Sequence, residues 1–384
     1  MRQAALLTLA FILALSACAP GAGAGAPQPG AVIPVTLTPQ AGSMPPSDSP
    51  PDFPSDSPSV SKSDSPLQQS APASVSPAEM VARMGRGVNL GNTLEAPREG
   101  EWGFKITAEH FDLIRSAGFT AVRIPIRWSA HAAETAPYTI DPAFFTRIDQ
   151  VTTWALARGL IVVINIHHYE EMSTTPRRHQ ERFLALWQQI AEHYQDAPPE
   201  LLFELMNEPN GLLSAALWNE TAASAIQIIR QSNPTRNLIV GGVSWNAWDQ
   251  LPYLALPQDD HLIATFHYYN PFQFTHQGAE WAPGSDAWLG TTWDATPVQT
   301  AEVDAHFDAV AAWSAEHNIP IFLGEFGAYS KAPQPSRITW TSYIARAAEQ
   351  RGFAWAYWEF GAGFGIYDLA ARRWRDDLLK ALMP

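Results

Sequence analysis

Eight short apolar runs recur along the chain after residue 77: GVNLG (87–91), AVRIPIRW (121–128), LIVVINIHH (160–168), LLFELMNE (201–208), NLIVGG (237–242), LIATFHYY (262–269), IPIFLGEFG (319–327) and FAWAYWEFG (353–361). Most are near-continuous Val, Ile, Leu and Phe rather than alternating apolar and polar. That is the pattern of strands covered on both faces, as in a parallel sheet under helices. Helical patterns lie between most of them. AEHFDLIRSAGF and FFTRIDQVTTWALARG each end at or just after a glycine, a common helix C-terminal signal, and ERFLALWQQIAEHY and AHFDAVAAWSAEHN are also amphipathic. Eight strand-plus-helix units imply an α/β chain closed into a (β/α)8 TIM barrel over residues 78–384. An open doubly wound sheet is the weaker reading, because no glycine-rich phosphate loop follows the first run.

In such a barrel the active site lies at the C-terminal ends of the strands. Here those ends collect polar and aromatic groups: Asn89, Asn92, Arg123, His167, His168, Asn207, Glu208, Trp245, His267, Tyr269, Glu325, Trp358 and Glu359. A barrel built only for stability has no reason to gather this set on one rim. Glu208 and Glu325 end the fourth and seventh runs, which lie on opposite sides of the mouth, so their carboxylates can face each other across a cleft. Cleavage of a glycosidic bond needs such a pair, one carboxyl protonated and the other ionised.

The neighbours divide by role. Glu204 shares a strand face with Glu208 by period two; a buried charge needs a partner, and Arg123 is the candidate. Asn207 is placed to hydrogen-bond a sugar hydroxyl beside the acid. Tyr269 is placed to hydrogen-bond the nucleophile carboxylate and hold its pKa low. His167, His168 and His267 read as hydrogen-bonding groups rather than metal ligands, since no His-x-His or His-Glu-x-x-His spacing occurs. No metal or organic cofactor is expected. The ring of Trp358 suits stacking on a pyranose face. Trp245, Trp281, Trp288 and Trp293 follow the fifth and sixth runs as candidate subsite walls; Trp128, Trp154, Trp187 and Trp313 read as core.

The N-terminal segment has a different character. Arg2 precedes the short apolar stretch AALLTLAFILALSACA, and LSAC (15–18) has the form of a bacterial lipobox. The expectation is a lipoprotein-type signal peptide over 1–17, acylation of Cys18 and export to the cell surface or medium. Ordinary cleavage after Ala17 or Ala19 is the alternative. Nearly half of the 32 prolines fall between Pro20 and Pro77. Few residues in 18–77 are able to build a core, so this stretch reads as a disordered Pro/Ser/Gly-rich linker. Cys18 is the single cysteine, which excludes an intramolecular disulfide. The formal net charge of −14 argues against nucleic acid and suits a neutral substrate.

Seven motifs, in order and at barrel spacing, carry a resemblance: RGVNLGNTLEAP, VRIPIRW, INIHHYEE, FELMNEPN, TFHYYNPFQFTHQGAEW, IFLGEFGAYSKA and YWEFGAGFGIYD. From about Gly85 to the C-terminus the chain resembles glycoside hydrolase family 5, the retaining cellulases and their relatives. The longer stretches resemble its thermophilic-type endoglucanases, some of which accept mannans. The resemblance implies a retaining endo-β-1,4-glucanase acting on cellulose, β-glucan or glucomannan, and a monomer is expected. A β-mannanase, a dual enzyme and a non-catalytic carbohydrate-binding lipoprotein are the alternatives. It implies Glu208 as acid/base and Glu325 as nucleophile. Arg123, His167, Asn207, His267, Tyr269 and Trp358 fall at supporting positions, and Asn92, Glu95, His168, His276 and Trp281 at sugar contacts.

Overall fold

The computed structural model describes residues 74–384. The expected signal peptide, Cys18 and nearly all of the linker lie outside the described residues. Eight parallel strands close a barrel in chain order: β1 (Arg86–Asn89), β2 (Ala121–Ile124), β3 (Ile161–Asn165), β4 (Leu201–Glu204), β5 (Leu238–Gly241), β6 (Leu262–Tyr268), β7 (Ile321–Phe326) and β8 (Ala354–Tyr357). β8 closes on β1, with Gly87 opposite Ala356. Each strand falls within one of the apolar runs, save that β1 begins one residue earlier at Arg86, so the (β/α)8 barrel expected from the sequence is the fold observed.

Seven of the eight units carry a helix of seven or more residues after the strand, such as Pro176–His193 after β3 and Pro297–His317 after β6. The fifth unit differs. Between β5 and β6 the chain makes only short turns, including a 3-10 helix over Trp248–Tyr253 that contains Pro252. Pro252 and the nearby Pro257 lack the backbone N–H that a longer helix needs. A two-stranded antiparallel ribbon, Tyr367–Asp368 with Arg373–Trp374, extends the loop after β8.

A helix over Pro77–Met84 precedes the barrel. Ser76 caps it, its hydroxyl accepting from the Glu79 N–H. Its buried face, Met80, Val81 and Met84, packs with Val75 against inward residues of the strands, among them Ile161, Val163, Leu202, Ile239, Ile263 and Phe322. The helix therefore plugs the end of the barrel where the strands begin, and the opposite end is left for the site. Val75 already belongs to the packed chain, since its carbonyl accepts from Asn237 Nδ2 at 2.9 Å. The linker expected to reach residue 77 thus gives way before Val75.

The outer core runs between strands and helices. Trp128, Trp187 and Trp313 are buried in it and Trp154 is half-buried, as read from their helical or strand-end positions. Trp293 joins them. It was a candidate subsite wall by position, but it is buried with its ring 5.4 Å from that of Tyr343.

Met84→Ala should lower the unfolding free energy by about 2–5 kcal/mol through loss of buried contacts and a residual cavity. Denaturant unfolding measures it; an unchanged midpoint would mean the helix is not a plug.

Candidate active site

Arg123, at the C-terminal end of β2, is fully buried and uses all five of its N–H donors. Nε and Nη2 donate to the two oxygens of Glu204 at 2.6 and 2.9 Å. Nη1 donates to Asn89 Oδ1 at 2.8 Å and to Glu325 Oε1 at 2.7 Å. The second Nη2 hydrogen goes to Asn207 Oδ1 at 2.6 Å. Side chains from β1, β2, β4, β7 and the turn after β4 are thus tied to one guanidinium. Burial works against its charge, but Glu204 and Glu325 outweigh that and raise its pKa, so it stays protonated. Glu204 is the structural partner its inward face suggested. Because Arg123 holds the Asn207 oxygen, the amide is fixed with its Nδ2 hydrogens as the free donors.

Glu208 and Glu325 meet across the mouth. One oxygen of each and a ring nitrogen of His267 all lie within 4.8 Å of one another. His267 Nδ1 is 2.7 Å from Glu208 Oε1 and 3.7 Å from Glu325 Oε2. Tyr269 donates its hydroxyl to Glu325 Oε2 at 2.9 Å. The strand geometry explains the approach. The β6–β7 register slips between Phe266 and His267, which brings His267 opposite Glu325. Residue 324 must then be glycine: a Cβ there would lie 2.9 Å from His267 Nε2 and 2.9 Å from Thr265 Oγ1.

The two carboxyls have different surroundings. Burial pushes the Glu208 pKa up to about 7, with Arg123 and His168 opposing. Burial also raises Glu325, but His267, Arg123 and the Tyr269 hydroxyl oppose the rise. Glu325 accepts two hydrogen bonds, one of them from a cation, whereas among protein groups Glu208 meets only His267. The negative charge is therefore better held on Glu325 and the proton on Glu208. Burial lowers His267 to about 4 and takes His167 well below its ordinary value, so both imidazoles are neutral at pH 7.

The remaining expected residues mostly line this mouth. Trp358 stacks parallel to His167 with centroids 5.9 Å apart. His168 adopts φ 49° and meets the His167 ring edge-on. His276 is buried, stacked on Phe272 at 4.0 Å, and its ring lies 5.0 Å from that of Tyr269. Trp281 is 58% exposed, with its edge packed on Tyr329. Trp245 is 60% exposed on a left-handed turn in which Ser244, Trp245 and Asn246 all have positive φ. Its N–H donates to the carbonyl of Pro209, next to Glu208. Glu95 departs from expectation. It is only 1% exposed and turns into its own loop, accepting from the backbone N–H groups of Asn92 and Thr93. Burial lifts its pKa to about 7 despite those bonds. It shapes the loop that carries Asn92 rather than presenting an open face to the cleft.

A sequence profile described as "Cellulase (glycosyl hydrolase family 5)" matches residues 82–363. The chain belongs to glycosyl hydrolase family 5. It is similar to Endoglucanase H of Acetivibrio thermocellus, 41% identical over 320 residues that cover 82% of this chain and 34% of that protein. It is also similar to the cellulase/esterase CelE of the same organism, 30% identical over 75% of this chain and 37% of that protein. The chain spans about a third of the length of these two curated relatives. Among solved structures it matches Thermotoga maritima Cel5A in complex with mannotriose, with 50% identity, a TM-score of 0.79, and coverage of 80% of this chain and 99% of that one.

Some parts of this family 5 site were not singled out as site residues. Asn165, at the end of β3, donates Nδ2 to Glu204 Oε2 and lies 3.2 Å from His167 Nδ1. Asn246, the last residue of the left-handed turn, donates Nδ2 to the Asn207 carbonyl. Glu359 was seen on the rim but not given a role. It is buried and accepts from the N–H groups of Gly361, Ala362 and Phe364, clasping the loop after β8. Period two along INIHH faces Asn165 with His167, which was the one signal available. Nothing in the sequence marks Asn246.

Arg123→Lys should cost about 3–5 kcal/mol of stability, because a lysine cannot meet five acceptors and leaves buried carboxylates unpaired. Chemical denaturation measures it; a loss below about 1 kcal/mol would show that the hub is replaceable.

Proposed function

We propose that this chain is a retaining endo-β-1,4-glucanase. The observation that carries the reading is the Glu208–Glu325 pair, within 4.8 Å and held in unlike environments. Retaining enzymes hold their carboxyls ~5–5.5 Å apart, whereas inverting enzymes leave ~6.5–9.5 Å for a water. The spacing here supports direct attack. A Glu325 oxygen attacks the anomeric carbon as Glu208 gives its proton to the leaving oxygen, so the glycosidic bond breaks and a glycosyl ester forms. Glu208, now ionised, takes a proton from water, and the resulting hydroxide equivalent displaces Glu325. Arg123 and Tyr269 hold Glu325 through both oxygens, leaving it ionised before attack and receiving it again as leaving group. Asn207 Nδ2 is available to the sugar beside the bond.

The similarity to endoglucanases supports a β-1,4-glucan as substrate. The similarity to Cel5A, solved with mannotriose and with cellobiose, supports a dual glucanase/mannanase as the second reading. Glu208, His267 and Glu325 also have the spacing of a three-ligand metal site. Arg123 argues against that use, because its guanidinium already donates to Glu325 at 2.7 Å and would repel a second cation. The catalysis proposed needs no metal. From residues 1–18 we also propose export and acylation at Cys18, with the enzyme acting as a monomer. Mass analysis of the mature N-terminus tests the anchor, and sedimentation the monomer.

The deciding experiment is reducing-sugar release from soluble cellulose, β-glucan and glucomannan, run with and without chelator. Activity should survive the chelator. Glu325→Ala and Glu208→Ala should each lose at least about 10³-fold on polymer, with Glu208→Ala keeping more of its rate on aryl glycosides whose leaving group needs no proton. Well-folded protein with no release from any polymer would leave a carbohydrate-binding role. Rescue of chelated enzyme by zinc alone would favour the metal.

The protonation states also fix a pH profile. The rate should fall above about pH 7 as Glu208 loses its proton, and fall in acid as Glu325 gains one. An alkaline limb that persists unchanged in Glu208→Gln, read on an activated aryl glycoside, would assign that limb to another group.

A further inference from the structure

Only one ring nitrogen of His267 has a partner. Nδ1 faces both carboxyls of the pair, 2.7 Å from Glu208 Oε1 and 3.7 Å from Glu325 Oε2. Nε2 is buried and meets no hydrogen-bond partner among the described residues. Two residues back on β6, Thr265 shares the inward face of His267 by period two, as Ile263 does. Its Oγ1 is also buried and without a partner among the described residues. The two unpaired atoms border one space: a Cβ on Gly324 would lie 2.9 Å from each. A buried hydroxyl that makes no bond costs stability, and a valine of the same outline would avoid that cost. The hydroxyl is explained if it serves the ring nitrogen beside it.

The surrounding charges decide which nitrogen carries the proton. Glu325 is braced as an anion by Arg123 at 2.7 Å and by the Tyr269 hydroxyl at 2.9 Å. Burial keeps His267 neutral, so its ring holds a single proton. A lone pair on Nδ1 would face the Glu325 anion and be repelled. An N–H there is attracted to it and donates to Glu208 Oε1. Nε2 is then an acceptor in need of a donor, and Thr265 is the side chain placed to supply one.

We propose that Thr265 is a positioning residue: its hydroxyl donates to His267 Nε2, directly or through one water, and so keeps the ring proton on Nδ1. The inference rests on the glycanase reading above. With Glu208 Oε1 engaged as an acceptor, the acid proton is confined to Oε2, which makes no hydrogen bond among the described residues and is left for the departing oxygen. Were the ring proton on Nε2, Nδ1 would become an acceptor and draw the Glu208 proton onto Oε1, away from the bond to be cleaved. The number of protons is the same in both arrangements; the hydroxyl selects where they sit. The charged and titratable groups around the pair are Glu325 on β7, Arg123 on β2, Glu204 on β4, and His168 and Glu170 after β3. Thr265 adds no charge to them.

The test compares Thr265→Val and Thr265→Ser with the wild type on β-glucan and on an aryl cellobioside whose phenolate leaves without a proton. Thr265→Val should lower kcat on β-glucan by about three- to tenfold and change KM by less than about twofold. On the aryl cellobioside its rate should fall by less than about twofold. Its alkaline limb should move to higher pH by about 0.5–1, because ionised Glu208 loses the N–H that steadied it. Thr265→Ser keeps the hydroxyl and should restore both the rate and the limb. An equal loss on the two substrates with an unmoved limb would mean that the side chain only packs the strand, and would overturn the proposal. So would no loss on either. Nitrogen NMR of the histidine rings gives a second readout that needs neither turnover nor a folded Thr265→Val. With the His267 signals identified by their absence in His267→Gln, the wild type should carry the proton on Nδ1; a proton on Nε2 overturns the proposal. A wild type inactive on every glucan and mannan rejects the glycanase reading, and the ring spectrum still decides the tautomer.

Discussion

The site is organised around one buried cation. Arg123 has no exposure, and a buried guanidinium is tolerated only when its charge and every donor are answered. Here five bonds reach Asn89, Glu204, Asn207 and Glu325. Each of those partners arrives on a different strand or turn. The requirement to satisfy one side chain therefore fixes the relative positions of several barrel strands at their C-terminal ends. Without Glu204, Glu325 would be the one carboxylate left to answer the charge on Arg123. Asn89 extends the frame to the far side by donating Nδ2 to the backbone carbonyls of Gly324 and Ala356.

The two glutamates differ because the barrel treats them differently. Glu325 is approached by Arg123 and Tyr269, and the slipped register of β6 brings His267 alongside. Glu208 lies past the end of β4, in a turn held by Asn246 and by the Trp245 N–H, and meets only an uncharged imidazole. One carboxyl is braced as an anion and the other is left to keep its proton. The same chemical group is suited to two different roles because its hydrogen-bond donors are unequally distributed.

Much of this was legible in the chain. The eight strands were visible because a parallel barrel strand is buried on both faces and must be apolar throughout. Glu208 and Glu325 stood out because each ends such a run. Arg123 and Glu204 were readable as a pair from the cost of burying a charge. What escaped is what depends on three-dimensional closure. Asn165 and Asn246 are ordinary amides in sequence and acquire meaning only when the chain returns to Glu204 and Asn207. Glu95 sits in the RGVNLGNTLEAP stretch, but its inward turn depends on the backbone path of residues 92 and 93. Trp293 follows β6 as Trp281 does, and only the packing against Tyr343 separates a core ring from a cleft ring. The missing fifth helix was written in Pro252 and Pro257, a local signal overridden in the reading by the regularity of the other units.

The pairing of Arg123 has a consequence for selectivity. The cluster pairs one guanidinium with two carboxylates, Glu204 and Glu325, while burial favours the proton on Glu208 and keeps His167 and His267 neutral. The buried floor of the cleft thus holds more carboxylate than guanidinium. On the proposed glycanase reading, that excess favours the positive charge that develops on a sugar ring as its bond breaks. It also penalises any glycan that brings its own carboxylates close to the floor. On the proposed glycanase reading, uronic-acid polymers would be disfavoured by this excess of carboxylate, and the buried ion pairs that hold the barrel rim together would also act as a filter for neutral polysaccharide.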